Sequence, residues 1–242
     1  MSSWVLWALL SWATGNPILA LLMMAAAWWL GDRLTFRVLP DPLGLFRRWN
    51  RVRRLRTTLQ VNSHDRRARF ELAELLLEGG HPRKAAAVLR PNIEAGDEDA
   101  RTAFVMGAAL GRSGAYEQGE RALELARAED PRFRAGEIDL ELGRQRLAGR
   151  DFERARRALE RLLSERPGSI EGRYLLGRAL AGLGDETGAR AVREEAWREY
   201  KLLPRFQRRH ERRFAWRIKP WRPALMAVAV LILLWLAARA LG

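Results

Sequence analysis

The chain has 242 residues, room for one domain of ordinary size plus flanking segments. It has no cysteine, which excludes a disulfide framework, thiol chemistry and Cys-ligated zinc, and its three histidines (His64, His81, His210) lie too far apart to found a metal site. The formal charge of +14 is unevenly spread: residues 66–200 hold 25 basic and 25 acidic side chains, 32–65 hold eight against three, and 201–222 hold nine against one. A nucleic-acid-binding solenoid would carry the charge on its own surface, so an excess confined to the flanks argues against nucleic acid as a partner.

From Met1 to Gly31 no side chain is charged, a run longer than the ~20 residues that cross a hydrocarbon core. Gly15-Asn16-Pro17 interrupts it; asparagine favours an N-cap and proline the first helical position. The pattern predicts an N-terminal membrane anchor over 1–38, its span running from about 17 to 38 with Trp28 and Trp29 at headgroup level. Residues 4–14 are then a half-helix in the interface or against the span, with one continuous helix kinked at Pro17 as the alternative. No basic leader or small-residue cleavage site marks a removable signal peptide.

Residues 39–65 read as a basic linker and an amphipathic helix, because Phe46, Trp49, Val52, Leu55 and Leu59 recur at three- to four-residue spacing. Such a helix can cap the first unit of a solenoid. It can also lie on anionic lipid through Arg47, Arg48, Arg51, Arg53, Arg54 and Arg56. Both roles can hold at once.

The central region repeats. In 100–133, Met106-Gly107 and Leu110 sit in a first helix, Ser113-Gly114-Ala115 makes a turn, Gly119, Leu123 and Ala126 line a second helix, and Pro131 closes it. The same phasing recurs in 66–99 (Leu72-Ala73, Leu76, Ala85, Leu89), in 136–169 after a two-residue slip (Leu142-Gly143, Phe152, Ala155, Leu159, Pro167) and in 170–200 (Leu176-Gly177, Leu180, Ala189, Ala196). Antiparallel helices approach closely only where one presents Gly or Ala, and proline cannot continue the helix it ends. Over these 135 residues, 66–200, the chain resembles the tetratricopeptide-repeat (TPR) family. Pro91, Arg146 and the slip before 136 depart from the pattern. The implied fold class is all-α, a solenoid of about four TPR-type helical hairpins flanked by N- and C-terminal transmembrane helices.

Residues 201–222 continue the last repeat as a basic juxtamembrane capping helix, with Arg208, Arg209, Arg212 and Arg213 as lipid-facing candidates and Trp216 and Trp221 near headgroups. Residues 223–242 form a C-terminal transmembrane helix. Its fifteen uncharged residues, 224–238, rise only ~22 Å against a core of ~30 Å, and Arg239 reaches the far headgroups by snorkelling. Both spans carry their basic excess on the repeat side. The positive-inside rule therefore places the repeats in the cytoplasm and the chain in the inner, cytoplasmic membrane as a multi-pass protein.

No Ser/His/Asp, HExxH, Walker or GxGxxG arrangement occurs in a suitable context. Asp97/Asp99 and Glu194/Glu195 read as solvated faces or helix-dipole partners. No enzyme, cofactor or metal is expected. The TPR resemblance implies a groove formed by the first helices of the hairpins, whose second, fifth, ninth and twelfth or thirteenth positions give Arg67, Phe70, Glu74, Arg101, Phe104, Arg112, Leu140, Arg144, Tyr174 and Arg178. Basic and aromatic side chains there suit an acidic or extended peptide. The expected function is a non-catalytic, membrane-anchored scaffold holding a protein partner. The alternative is a lipid-responsive membrane organiser that uses the basic flanks.

Overall fold

The computed structural model describes residues 3–24, 42–97, 99–221 and 225, and divides into two compact units, Met1–Asn50 and Arg51–Gly242. In the first unit, α1 (Ser3–Thr14) ends at Gly15, whose φ of 63° suits glycine. Asn16 then caps the next helix, α2, described over 17–24, by accepting from the Ile18 N–H at 2.9 Å. Ile18, Leu21 and Leu22 are exposed. Most of the two predicted spans, 17–38 and 223–242, lies outside the described residues. Among those described, no helix is long and apolar enough to cross a membrane.

The second unit takes in the C-terminal half of α3 (Pro42–Val61), then four hairpins: α4 (Arg66–Glu78) with α5 (Pro82–Glu94), α6 (Ala100–Arg112) with α7 (Tyr116–Glu129), α8 (Ala135–Ala148) with α9 (Phe152–Glu165), and α10 (Ile170–Gly182) with α11 (Glu186–Leu202). A final helix, α12 (Arg205–Ile218), follows. Each first helix packs on its own partner and on the first helix of the next hairpin. Start signals are local: Asp65, Asp99, Asp151, Ser169 and Asp185 accept backbone N–H groups at five helix N-termini. The Gly188 N–H and the Thr187 hydroxyl hold the Asp185 carboxyl below the usual carboxylate range.

One apolar cluster runs from Leu55 through Leu72, Leu89, Phe104, Leu123 and Leu142 to Ala158; two smaller ones continue it through Leu159 and Leu176 and through Ile170, Ala196 and Phe214. Each fully buried leucine is worth about 1.5–3 kcal/mol. The tightest crossing joins α6 to α7. A Cβ on Gly107 would stand 2.7 Å from Leu123 Cγ and 2.9 Å from the Gly119 carbonyl oxygen. A Cβ on Gly119 would stand 2.8 Å from the Gly107 carbonyl oxygen. Gln145, from α8, reaches into this crossing and donates to the Gly107 carbonyl at 3.0 Å.

The departures from the repeat pattern have local causes. Pro91 sits in the last turn of α5, where it forfeits one backbone bond, to the carbonyl four residues earlier, and the helix ends three residues later. The neighbouring Asn92, fully buried, ties the hairpin by donating to the Arg66 carbonyl at 2.9 Å and accepting from Arg69 at 3.1 Å. The slip before 136 becomes a connection through Arg134, a non-glycine residue at φ 43°, immediately before α8. The segment 201–222 holds a helix of its own, α12, after α11 ends at Leu202. Leu203 and Pro204 are extended (ψ 142° and 152°), and α12 folds back onto α10 and α11, burying Phe214 and Ala215. Proline cannot donate to a continuing helix, and it disfavours helical geometry in the residue before it.

Alanine is the better helix former by about 1 kcal/mol, yet Gly107→Ala should lower the unfolding free energy by about 1–3 kcal/mol through overpacking. Gly149→Ala, whose added Cβ would meet nothing closer than 3.6 Å, should leave it nearly unchanged. Urea denaturation of the full chain in detergent, followed by circular dichroism, measures both. A more stable Gly107→Ala protein would contradict the close crossing.

Candidate functional site

The first helices of the hairpins share a face, and its features differ along the stack. At the first two repeats, Phe70 and Glu74 lie one turn apart on α4, and Arg101, Phe104 and Val105 lie on α6. With Phe133 and Arg134 from the α7–α8 connection they line a cavity of about 330 Å³. Phe104 and Phe133 meet edge to face, with centroids 6.2 Å apart and an interplanar angle of 82°. The Arg134 guanidinium lies 5.4 Å from the Phe104 centroid and 5.5 Å from that of Phe133, within cation–π range. Its ion pairs with Glu74 at 3.7 Å and Glu137 at 3.3 Å are solvent-exposed, so they add little to stability. Arg101 has no side-chain partner among the described residues.

This cavity gathers four of the ten sequence-derived groove residues: Phe70, Glu74, Arg101 and Phe104. It also adds Phe133 and Arg134, which the helix-position rule omits because they belong to no first helix. The only trace of them in the sequence is the two-residue slip, a place where the period is broken and the chain must adopt special backbone geometry. Positive φ in a non-glycine residue costs free energy and marks a conformation held by its surroundings. Here the Arg134 carbonyl accepts from the Glu137 and Ile138 N–H groups at 2.8 and 2.9 Å, and its guanidinium rests against the two phenyl rings.

Further along the same face the chemistry changes. Glu141, buried on α8, pairs with Arg112 of α6 and Arg144 of its own helix, and Arg144 also pairs with Glu171 of α10, Nε to Oε1 3.1 Å. Burial works against the Arg144 charge, but Glu141 and Glu171 outweigh it and raise its pKa, so the guanidinium stays charged. Arg112 and Arg144 thus join three consecutive repeats, their guanidiniums engaged by the chain's own carboxylates. Leu140 and Tyr174 are partly buried against the second apolar cluster, and Tyr174 also packs on Phe214 of α12 with ring centroids 6.0 Å apart. Arg67 and Arg178 are exposed, without an ion-pair partner among the described residues.

Of the lipid-facing candidates, Arg51 pairs with Glu71, Nε to Oε1 2.7 Å, tying α3 to α4. Arg47, Arg53, Arg54 and Arg56 are exposed and Arg48 is half-buried. On α12, Arg208 donates to the Leu203 carbonyl at 2.7 Å, Arg212 lies 5.1 Å from the Trp216 ring centroid, and Arg213 lies 4.6 Å from that of Phe214. The Arg209 side chain lies outside the described residues.

No protein-family model matches the sequence, and no curated protein matches it. Solved structures do. A crystal structure of MamA is 19% identical and superposes with a TM-score of 0.55, covering 62% of this chain and 86% of that one. MamA (41-end) from Desulfovibrio magneticus RS-1 is 19% identical at a TM-score of 0.50, covering 56% and 76%. TTC0263, a thermophilic TPR protein in Thermus thermophilus, is 20% identical at a TM-score of 0.49, covering 65% and 85%. Likeness at such identity bears on fold alone. Four successive antiparallel hairpins meeting at small side chains, in a chain that superposes on MamA, make this an all-helical protein with the tetratricopeptide-repeat fold.

Proposed function

We propose that this chain is a non-catalytic TPR scaffold, anchored in the cytoplasmic membrane by segments at 1–38 and 223–242, whose repeats over 66–200 hold a protein partner on the cytoplasmic side. The observation that carries the reading is the cavity walled by Phe70, Phe104, Phe133 and Arg134 and flanked by Arg101. Three aromatic rings and two guanidiniums around one carboxylate fit a peptide that brings an apolar side chain beside an acidic group. The cavity sits on the first-helix face that a TPR groove presents to a peptide. Arg112 and Arg144, held by Glu141, then act as the rigid floor of the groove, and Arg67 and Arg178 offer contacts at its ends. Membrane anchoring draws its support from the charge-free run 1–31, from the charge excess confined to the flanks, and from exposed Ile18, Leu21 and Leu22.

A second reading, a lipid-responsive membrane organiser, is favoured by one observation. The exposed aromatics Trp216 and Trp221 lie on or just beyond α12 beside Arg212, Arg213 and Arg217, an arrangement suited to an anionic interface. The two readings are compatible, since basic flanks can bind lipid while the groove holds a partner.

Proximity labelling from the repeats in cells should recover a defined set of membrane-complex proteins. Phe104→Ala or a combined Arg101→Ala/Arg134→Ala change should deplete that set about tenfold, the effect of removing one central interface anchor. Arg178→Ala should leave most of it. An unchanged set in all variants would remove the cavity from the account. Alkaline carbonate extraction of membranes tests the anchors: the full chain should stay in the pellet, and deletion of 1–41 together with 222–242 should release it. Full release of the intact chain would contradict the anchored reading.

A further inference from the structure

Helix α3 exposes two aromatic side chains that a straight apolar stripe would bury. Phe46, Trp49, Val52 and Leu55 are spaced by three residues, and three residues fall about 60° short of a helical turn. The row therefore winds around the helix. Val52, Leu55 and Leu59 pack in the first apolar cluster, whereas Phe46 is 59% exposed and Trp49 56%. Their rings lie together, with centroids 6.2 Å apart. Arg53 and Arg56 follow Phe46 and Trp49 at helical spacing and are also exposed. One face of α3 thus begins in aromatic rings and ends in guanidiniums.

Burying a large apolar side chain stabilises by about 1.5–3 kcal/mol, so a surface that covers this pair is held by it. Three observations say what that surface is. First, α3 holds six arginines and no acidic side chain, which matches an anionic surface and repels a basic one. Second, an indole has an apolar body and a polar N–H, the combination that settles where hydrocarbon meets water. Third, the chain leaves little room for anything else. On the anchored reading, on which this step rests, the first span ends near residue 38, and α3 begins at Pro42. Four residues reach at most about 14 Å, which keeps the start of α3 at or just above the headgroups.

We propose that the first half of α3 is an interfacial membrane helix. Its Phe46–Trp49 pair is set among anionic lipid headgroups, and Arg53 and Arg56 pair with those headgroups beside it. The opposite face, Val52, Leu55 and Leu59, serves the apolar cluster. The two roles expected of this helix, cap and lipid contact, are divided between its two faces.

The chain has no cysteine, so a single introduced cysteine can be labelled without background. Full-length chains with Trp49→Cys or Val61→Cys, each carrying a polarity-sensitive fluorophore, are reconstituted into vesicles of phosphatidylcholine alone or in equal mixture with phosphatidylglycerol, and the vesicles are floated. In the mixture, the label at 49 should be quenched by nitroxide lipids and shielded from aqueous iodide. The label at 61, where the native valine is 86% exposed at the far end of α3, should show the reverse. Arg53→Gln/Arg56→Gln in the Trp49→Cys chain should lower the ratio of docked to free label about 30-fold, the loss expected at ~1 kcal/mol per arginine near an anionic surface. If the chain floats while the label at 49 stays in water, the proposal is overturned and the anchored reading stands. If the chain does not float, the anchored reading fails and takes the proposal with it. Equal docking with and without phosphatidylglycerol also overturns it. So does a label shielded in native membranes but not in protein-free vesicles, since a protein partner would then cover the pair.

Discussion

The Gly107 carbonyl lies where α6 crosses α7 at Gly107 and Gly119, with no Cβ on either glycine to hold the two backbones apart. Everything else in the stack is built around crossings of this kind. Removing Cβ at such points lets two helices approach until the leucines on either side interdigitate, and the apolar cluster can then run unbroken from Leu55 to Ala158. Gln145 of the next repeat enters the same contact and bonds the Gly107 carbonyl, so the crossing within one hairpin also fixes the position of the hairpin after it. A solenoid is stable only through such neighbour-to-neighbour terms. Here the term is partly a buried hydrogen bond and partly packing.

Helix α8 shows how the same chain can be a core element and a charged one. It buries Ile138, Leu142 and Leu147 together with Asp139, Glu141, Gln145 and Arg146. The polar set divides between two sides. Glu141 draws Arg112 and Arg144 into a line that joins α6, α8 and α10. Asp139 and Arg146 engage α7 and α9. Buried ion pairs are poor sources of net stability because desolvation offsets much of the attraction. Their value here lies in register: an apolar α8 could slide or rotate between its neighbours, whereas one that must meet Arg112, Arg127 and Arg161 at once has a single position. That rigidity separates two surfaces of different character, an aromatic and cationic cavity on the first-helix side and an arginine-rich one on the second-helix side.

Much of the fold was legible because its physics is local and periodic. Met106-Gly107, Leu142-Gly143 and Leu176-Gly177 mark where helices must cross, and the Asp and Ser caps mark where they begin. The candidate site was legible only in part. Phe70 and Phe104 follow from helix position, but Phe133 and Arg134 come from a connection whose geometry is set by an irregular break, and no period announces it. Arg112 and Arg144 look like ligand-binding side chains in a linear reading, because their partners Glu141 and Glu171 stand 27 to 29 residues away along the chain or on the same buried helix. Arg146 looked like a fault in the pattern. Its partners Glu120 and Glu124 on α7 make it a buried tie between the second and third hairpins. The separation of α12 from α11 follows from Pro204, whose effect on the preceding residue outweighs the helical preference of the arginine-rich stretch after it.

Backbone hydrogen exchange on the full chain in detergent tests the central claim most directly. If the α6–α7 crossing and Gln145 lock three helices together, amides in the middle of α6, α7 and α8 should be the slowest in the repeats and should open with one common free energy. If α8 exchanges faster than α6 and α7, through an opening of its own, then the contact at Gly107 does not hold the stack and the two surfaces lose the rigid helix that separates them.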